Sequence, residues 1–358
     1  MNILLTSSGR RSYLVDYFRE ALDGKGLVHA SNSTWSSALE VADKAVITPL
    51  IYSDNYIDFL LDYCKKNEIN VIVSLFDIDL PILALSKKRF LEAGVRVIVS
   101  DYEVTDVCND KWKSFLFLNE HHINTPKTYI ELDSALRDIN EKIINYPVII
   151  KPRWGMGSIL VFRADNEEEL RVLYAKVKRE INDSFVKYES QSDPEHTVLI
   201  QEYVHGQEYG LDVVNDLEKR YVATFAKKKL EMRSGETYSA VTIQNDLLED
   251  LGNRIGEKLG HIANLDTDCI IHNEVPYVLD MNCRFGGVYP YSHFAGVNLP
   301  KAIISWIEGA KTENLDNLFK YELGLEGYKD MVIRTCNSTS LYASNDIIKG
   351  QEEVELNR

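Results

Sequence analysis

An apolar segment that ends in a lysine and continues into a loop with two glycines lies near the middle of the chain. It reads Val148-Ile149-Ile150-Lys151-Pro152-Arg153-Trp154-Gly155-Met156-Gly157-Ser158. The apolar run predicts a strand, and a second apolar run at 159–162 predicts its hairpin partner. Glycines let backbone N–H groups approach an anion closely, and the lysine adds a positive charge. No Gly-Lys-Ser/Thr opens a helix, so this is not a Walker A sequence, and an ordinary hairpin remains the commoner explanation of the segment alone.

Composition and length set the outer limits. The chain has 358 residues, of which 45% are hydrophobic and 27% charged, so a disordered or fibrous protein is excluded. About 150 residues per domain predicts two or three domains. The net charge of −15 disfavours a nucleic-acid partner. We expect no membrane partner and no secretory signal, and five cysteines without a CxxC pair favour a reducing, cytoplasmic location.

The first 105 residues alternate short apolar runs with helical patterns. The runs lie at 2–6, 28–30, 45–47, 71–74 and 95–99. This alternation predicts an open, parallel, Rossmann-like sheet, whose ligands bind beyond the carboxyl ends of the strands. The residues placed at that crevice are Ser8, Gly9, Arg10 and Asp77. The first turn lacks the GxGxxG fingerprint, which argues against a nicotinamide-dependent dehydrogenase.

Beyond residue 105 the pattern becomes α+β with antiparallel character. Helical spacing of apolar residues predicts helices near 111–120, 132–144, 170–181, 248–262 and 299–307. Strands are predicted at 198–201, 208–214, 220–226, 237–243, 267–272 and 275–281. We expect a polar surface loop at 183–196, and little pattern after 312 apart from a strand-like run at 331–333.

A second motif joins two predicted strands through a short link. It reads Ile200-Gln201-Glu202-Tyr203-Val204-His205-Gly206-Gln207-Glu208. Such a link can offer its backbone N–H and C=O to the edge of an adenine, and a carboxylate a few residues later can accept from ribose hydroxyls. A plain β-connection with a solvated glutamate is the favoured explanation of the motif when it is taken alone.

A third motif ends the strand near residue 280. It reads Asp280-Met281-Asn282-Cys283-Arg284-Phe285-Gly286-Gly287. Asp280 and Asn282 are two residues apart on a strand, so they share one face, and Arg284 follows them. Oxygen ligands on one face suit magnesium, with Asp268 available from a neighbouring strand, and an arginine suits a phosphoryl group in transfer. The alternative is a solvated Asp–Arg pair at a strand edge.

The three motifs, in this order and together with Asp110-Lys111, resemble the ATP-grasp superfamily. The detail is similar to its branch around the carbamoyl phosphate synthase large subunit and amino-acid ligases, over about residues 1–310. The resemblance implies a two-lobed ATP-grasp fold preceded by a pre-ATP-grasp α/β domain. The implied division is 1–105 for that domain, 106–204 for linker helices and small lobe, 205–310 for the large lobe, and 311–358 for a C-terminal extension.

The resemblance also implies ATP and magnesium as cofactors and assigns roles to individual residues. The nucleotide would be bound by Lys111, Lys151, Arg153, Gly155, Gly157, Ser158, Gln201, Glu202, Val204 and Glu208. Magnesium would be bound by Asp268, Asp280 and Asn282. The catalytic residues would be Arg284, Lys151 and Arg233, with Lys227 and Lys229 on the same basic strand and loop. The substrate would contact Ser8, Gly9, Arg10, Asp77, Gly286 and Gly287.

The implied activity is ATP-dependent activation of a small-molecule carboxylate. An acylphosphate would form and an amine would attack it, giving an amide, ADP and phosphate. Two residues depart from the family's usual Glu-x-Asn-Pro-Arg pattern, because Asp280 is one methylene shorter than glutamate and Cys283 replaces proline. These departures keep open an ATP-binding regulatory or scaffold protein that has lost turnover. A homodimer is the default oligomer.

Overall fold

The structure of the protein is a computed structural model that describes residues 1–233, 235–328, 332–335 and 341–342. Side chains are described as far as residue 328. Met331, which belongs to the predicted strand-like run at 331–333, lies outside the described residues, as do most residues of the predicted C-terminal extension. Among the described residues, no helix is both long enough and apolar enough to cross a membrane.

The N-terminal part contains a five-stranded parallel sheet in the order β3-β2-β1-β4-β5, which confirms the predicted Rossmann-like layer. Its strands are β1 (Asn2–Thr6), β2 (Val28–Asn32), β3 (Lys44–Ile47), β4 (Ile69–Ser74) and β5 (Arg96–Ile98). The helices between and after them are α1 (Ser12–Leu22), α2 (Ser37–Val41), α3 (Tyr56–Lys66), α4 (Asp79–Glu92) and α5 (Tyr102–Asn109). Residue 105, the predicted domain limit, falls inside α5.

Both faces of this sheet are covered, as an all-parallel sheet requires. Successive residues of β1 alternate between the two sides: Ile3 and Leu5 pack with α1, whereas Leu4 packs with α3 and α4. Because β1 and β4 are paired and parallel, Thr6 and Ser74 end them at the same edge. The turns that follow these two strands therefore lie side by side, where parallel sheets bind ligands.

The second part is a four-stranded antiparallel sheet in the order β6-β9-β7-β8 with its helices. Its elements are α6 (Lys111–Glu120), β6 (Thr128–Tyr129), α7 (Leu132–Asn140), β7 (Val148–Pro152), β8 (Phe162–Ala164), α8 (Glu167–Glu180), α9 (Lys187–Ser190) and β9 (Val198–Glu202). The predicted hairpin is present, with Val148 opposite Ala164. Two predictions were wrong here. Residues 159–161 belong to the turn, since Ser158 and Leu160 have positive φ, and 183–196 is not all loop, because α9 forms there beside the buried Val186.

The third part is an antiparallel sheet with eight described strands in the order β14-β13-β10-β11-β12-β15-β16-β17. Its elements are β10 (Gln207–Asn215), β11 (Tyr221–Arg233), β12 (Glu236–Ile243), α10 (Asp246–Leu259), β13 (Ala263–His272), β14 (Val275–Asn282), α11 (Tyr289–Phe294), α12 (Leu299–Ile307), β15 (Leu325–Tyr328), β16 (Val332–Thr335) and β17 (Leu341–Tyr342). The sequence patterns missed α11 and the last seven residues of β11. Strand β15 pairs with β12, so the large sheet continues past residue 310.

The two faces of the large sheet differ in character because side chains alternate along each strand. Apolar residues of β10, β13 and β14 pack with α10 on one face. The opposite face carries charged residues that the register aligns across four strands: Lys227 lies opposite Gly210, Gly210 opposite Asp268, and Asp268 opposite Asp280.

Candidate active site

Two lysines from the central part of the chain lie in one cleft with a carboxylate of the large sheet. Lys111, the first residue of α6, donates from Nζ to Asp280 Oδ1 at 2.8 Å. Lys151, at the end of β7, donates from Nζ to Gln201 Oε1 at 2.8 Å. Lys111, Lys151, Gln201 and Asp280 all line one small cleft. These residues are up to 169 positions apart in sequence, and the fold brings them together.

The electrostatics of this cleft favour an added anion. Burial lowers the pKa of Lys151 to about 8, and the neighbouring charge of Lys111 contributes to the shift. Burial alone would raise the pKa of Asp280, but Lys111 and Lys151 together hold it below its usual value. Two positive charges thus share one carboxylate, and a phosphate group would supply the missing negative charge.

Arg153 lies apart from this cleft in an ion triad with the buried Asp110 and the partly exposed Asp193. Its guanidinium donates to Asp110 from Nε at 2.8 Å and from Nη2 at 2.7 Å, and to Asp193 from Nη1 at 2.7 Å. Asp110 also caps α6 by accepting from the backbone of Trp112 at 2.9 Å. Both carboxylates of the triad thus occupy the arginine in this structure, and a contact between Arg153 and phosphate stays a prediction. Its backbone carbonyl accepts from the N–H of Lys111 at 3.1 Å, so Arg153 supports the start of α6.

The glycine-containing loop after β7 extends to the hairpin between β11 and β12. Gly155 and Gly157 have φ of +130° and +62°, backbone angles that residues other than glycine rarely adopt. Ser158 donates from Oγ to the carbonyl of Gly235 at 3.4 Å, and a Cβ on Gly235 would lie 2.3 Å from that Oγ. The tips of two separate sheets therefore meet here, on the loop that the sequence indicated.

The link between β9 and β10 presents free backbone groups. The N–H of Glu202 pairs with the carbonyl of Lys127 at 2.8 Å, so Glu202 is held within its sheet. Within the described part of the chain, the N–H groups of Tyr203 and Val204 have no hydrogen-bond acceptor. Gln201, also predicted to lie at this link, is buried and orients Lys151 instead, while its amide nitrogen donates to Thr128 Oγ1 at 2.9 Å.

A second carboxylate lies beside Asp280 on the next strand. Asp268 accepts from Nζ of the buried Lys229 at 2.7 Å, and Glu208 lies 3.8 Å from the same nitrogen. Lys229 reaches Asp268 across β10 at Gly210, where an added Cβ would lie 3.6 Å from the lysine Cε and 3.0 Å from Val288. A larger residue at Gly210 would therefore crowd this crossing.

Arg284 is held between two aspartates that come from different parts of the chain. Its Nε lies 3.1 Å from Asp77 Oδ1, and its Nη1 donates to Asp266 Oδ2. Burial raises the pKa of Asp266 to about 6, and Arg284 opposes the shift. The predicted Asp77 thus binds the predicted Arg284. Asp266 was missed, although its spacing of two from Asp268 was a signal. Gly286 leaves room for Asp266, since its Cβ would lie 2.1 Å from Oδ1.

The residues of the turn after β1 differ in burial and in the direction of their side chains. Ser8 is buried and donates from Oγ to the carbonyl of Ser31 at 3.1 Å, and Gly9 has φ of +53°. Arg10 points outward, with 84% of its side chain exposed, and lies 3.3 Å from Glu236. The next residue, Arg11, turns inward toward Asp77 and Arg284. Of the two adjacent arginines, Arg11 therefore faces the interior of the site and Arg10 faces solvent.

Two other predicted basic residues lie away from the cleft. Arg233 is 60% exposed, pairs with Glu231 at 2.9 Å and stacks on Tyr238. Lys227 is fully buried and pairs with the equally buried Asp212, so it cannot meet a ligand without breaking a buried ion pair. Among the lysines predicted on this strand, only Lys229 lies beside the carboxylates of the cleft.

The oxygen donors of the cleft fit a magnesium ion. Asp268 and Asp280 are opposite each other on paired strands, and Asn282 donates from Nδ2 to Asp280 Oδ2 at 3.3 Å, which keeps its amide oxygen as a ligand atom. Magnesium is commonly held by one or two carboxylates, with phosphates and waters completing its shell. Among the described residues, no three or more His, Cys, Asp or Glu form a group that could hold a metal ion, so the candidate set here consists of two carboxylates and one amide oxygen.

Comparisons with known proteins agree with this arrangement. Residues 3–98 match a PylC-like N-terminal domain, and residues 108–288 match an ATP-grasp domain. The arginine-specific large chain of carbamoyl phosphate synthase from Bacillus subtilis (strain 168) is 21% identical over 300 residues. That match covers 81% of this chain and 27% of the relative, so the chain spans about a quarter of that protein.

Two solved structures share the fold. The biotin carboxylase domain of the Hydrogenobacter thermophilus 2-oxoglutarate carboxylase gives a TM-score of 0.72 at 17% identity, covering 90% of this chain and 73% of that one. The L-amino acid ligase from Bacillus licheniformis gives 0.66 at 16% identity, covering 91% and 78%. The ATP-grasp match takes in just over half of the 358 residues and includes the paired lysines, the glycine loop and the carboxylate strand, and on that evidence the chain belongs to the ATP-grasp family.

Proposed function

We propose that this protein is an ATP- and magnesium-dependent ligase that activates a small-molecule carboxylate as an acylphosphate for attack by an amine. The observation that carries the proposal is that Lys111 and Lys151 lie in one cleft with Asp280, which is opposite Asp268 on the neighbouring strand. The family match and the solved ligase and carboxylase folds support this assignment. We also propose that residues 3–98 and 108–288, which match two separate family models, form two domains that meet beside the site, where Asp77 pairs with Arg284.

The nucleotide site would combine the two lysines with the link after β9. Phosphate oxygens would take the place of Asp280 as the partner of Lys111 and would give Lys151 a full counter-charge. The free N–H groups of Tyr203 and Val204 would face the adenine edge, and Glu208 would accept from the ribose. The carboxylase domain that shares the fold was solved with a magnesium salt of ADP and with bicarbonate.

Asp268, Asp280 and Asn282 would hold magnesium, which supplies Lewis-acid polarisation of a phosphoryl oxygen when it is bound. The chain's own residues would position the reactants and stabilise the charge that develops. Arg284, fixed by Asp77 and Asp266, presents its guanidinium beside this strand, where negative charge grows during phosphoryl transfer. Positioning and charge stabilisation account for such catalysis, since no covalent nucleophile is required.

The contact between Ser158 and Gly235 gives the glycine loop a second function. It closes the loop against the large sheet, and a closed loop excludes water from an acylphosphate that water would hydrolyse. The intermediate carries a good leaving group, so an amine attacks its carbonyl carbon, phosphate leaves with the bonding electron pair, and the amine loses a proton. The products are an amide, ADP and phosphate.

The test is acceptor-dependent release of ADP. The protein, ATP and magnesium are incubated with pairs of small carboxylates and amino acids, and ADP and the amide are measured together. We expect turnover that Lys111→Met reduces by at least about a hundredfold, since it removes a cation from the phosphates. Arg171→Met, which removes a half-exposed arginine paired with Glu167 on α8, is the matched control. Tight binding of ATP without ADP release for any pair would reject the ligase and favour the regulatory alternative.

A further inference from the structure

One arginine at the junction of the N-terminal sheet and the large sheet lacks a carboxylate partner. Arg11 immediately precedes α1, and its Nη1 donates to the carbonyl of Leu75. Its side chain also contacts the hydroxyl of Tyr13. A guanidinium has five N–H donors. Among the described residues, no Asp or Glu oxygen lies within 4.0 Å of this one, so several donors remain for a ligand.

The neighbouring Arg284 has the carboxylate partners that Arg11 lacks. Arg284 is flanked by Asp77 and Asp266, whereas Arg11 is close enough to Arg284 to be repelled by it. Burial lowers the pKa of Arg11 and the charge of Arg284 adds to this shift, and Tyr13, Asp77 and Asp266 oppose it without cancelling it. A partly buried cation beside a second cation is unfavourable unless an anion contacts it. An anion that comes with a substrate would provide that contact.

The position of Arg11 is that of a ligand-binding turn. It lies after β1, and its partner Leu75 lies after β4, at the edge where parallel sheets bind ligands. The turns are rigid because the buried Asp79 accepts hydrogen bonds from Ser7 at 3.1 Å and Ser74 at 2.9 Å. Helix α1 has no side-chain cap, so its free N–H groups add positive potential at the same point.

Two details indicate the chemical class of the ligand. The charged side chains that act on Arg11 include Arg284, Asp77 and Asp266. Arg11 is not one of the residues that line the cleft of Lys111 and Lys151, so a group bound to it would lie apart from the phosphates. A single cation lacks a partner, which matches the single charge of a carboxylate better than the double charge of a phosphate.

We propose that Arg11 binds a non-reacting carboxylate of the substrate, so that the protein acts on amino acids or dicarboxylic acids rather than on simple monocarboxylates. The proposal rests on the ligase function proposed above, because it places a second carboxylate beyond the one that is activated or the amine that attacks. The planar fork of arginine matches a carboxylate in two parallel hydrogen bonds. Arg11 is thereby the residue that determines which small molecule enters.

The experiment measures binding and does not require turnover. The full chain is saturated with ADP and magnesium, and thermal shift followed by calorimetry is used with L-aspartate, L-glutamate, L-alanine, succinate, acetate and inorganic phosphate. We expect an amino acid or a dicarboxylate to bind, and Arg11→Met to weaken it by about 10- to 100-fold, the usual effect of a charged hydrogen-bonded pair. The affinity of Arg11→Lys should lie between those of the wild type and Arg11→Met, and the affinity of Arg171→Met should equal that of the wild type.

Several results would overturn the proposal. Binding of every probe could be unchanged in Arg11→Met, or no probe could show a response that depends on Arg11. Phosphate alone could show that response, or Arg10→Met could weaken the carboxylate as strongly as Arg11→Met does. The ADP affinity of each variant must equal that of the wild type, which establishes that it is folded. If a carboxylate binds through Arg11 while no acceptor releases ADP, the ligase function fails and the Arg11 site stands.

Discussion

Replacing Arg153 by methionine separates a structural role from a direct contact with phosphate. The change leaves Asp110, whose side chain is only 2% exposed, without its bidentate partner. Removing one member of a buried pair costs about 3–5 kcal/mol. Asp110 keeps two backbone donors from the start of α6, so we expect the lower end, about 3 kcal/mol. A unit of 150–250 residues loses about 2–4 °C per kcal/mol, which predicts a fall in Tm of about 6–12 °C.

The assay pairs thermal unfolding with ADP binding by calorimetry. Arg153→Met should lose stability but keep its ADP affinity within about threefold, because Lys111 is bonded to the backbone of residue 153 and not to its side chain. Adding Asp110→Asn to this variant should restore most of the lost Tm, since asparagine caps a helix as well as aspartate and leaves no buried charge. An ADP affinity at least tenfold weaker, with Tm unchanged, would refute the reasoning and return Arg153 to the phosphate site.

Three further outcomes follow from the same contacts. Because the pKa of Lys151 is about 8 and phosphates bind its charged form, ADP affinity should fall by up to about tenfold per pH unit above 8 in calorimetry, and Lys151→Met should abolish that slope. Asp280→Asn should still bind ADP without metal but reduce magnesium-dependent turnover by about a hundredfold, measured as ADP release. Asp79→Ala leaves the hydroxyls of Thr6, Ser74 and other residues unpaired, so it should lower stability by about 3 kcal/mol in thermal unfolding, with a smaller loss for Asp79→Asn.

Local pattern was sufficient for most of the architecture. The apolar runs of the first hundred residues became a parallel sheet because its inner strands β1, β2 and β4 are buried on both faces, which leaves a nearly continuous apolar signal, whereas the edge strand β3 is mostly exposed. The strands of the second half alternate apolar and polar residues because antiparallel sheets can have one face packed on the core and the other facing water. Pattern failed where backbone conformation overrode it: the apolar residues 159–161 lie in a turn whose positive φ values at Ser158 and Leu160 exclude a strand.

The site was only partly readable. The motifs placed Lys111, Lys151, Asp280 and Arg284 at one site. The structure brings the first three into one cleft, whereas Arg284 is held between Asp77 and Asp266. They did not show that Arg153 would be engaged by two aspartates 43 and 40 positions away. Lysine and arginine motifs carry charge, but the carboxylate that occupies each charge comes from elsewhere in the chain, and a sequence motif contains no information on it.

By itself, the sequence determined the sheets, their order along the chain and the strand face on which Asp280 and Asn282 lie, since these follow from periodicities of two to four residues. Tertiary structure alone decided which cations are free. Arg10 and Arg11 are adjacent and chemically identical, yet one points to solvent beside Glu236 and the other toward Arg284. The reason is physical: whether a charge is available to a ligand depends on what packs against it, and those neighbours come from strands and helices far away in sequence.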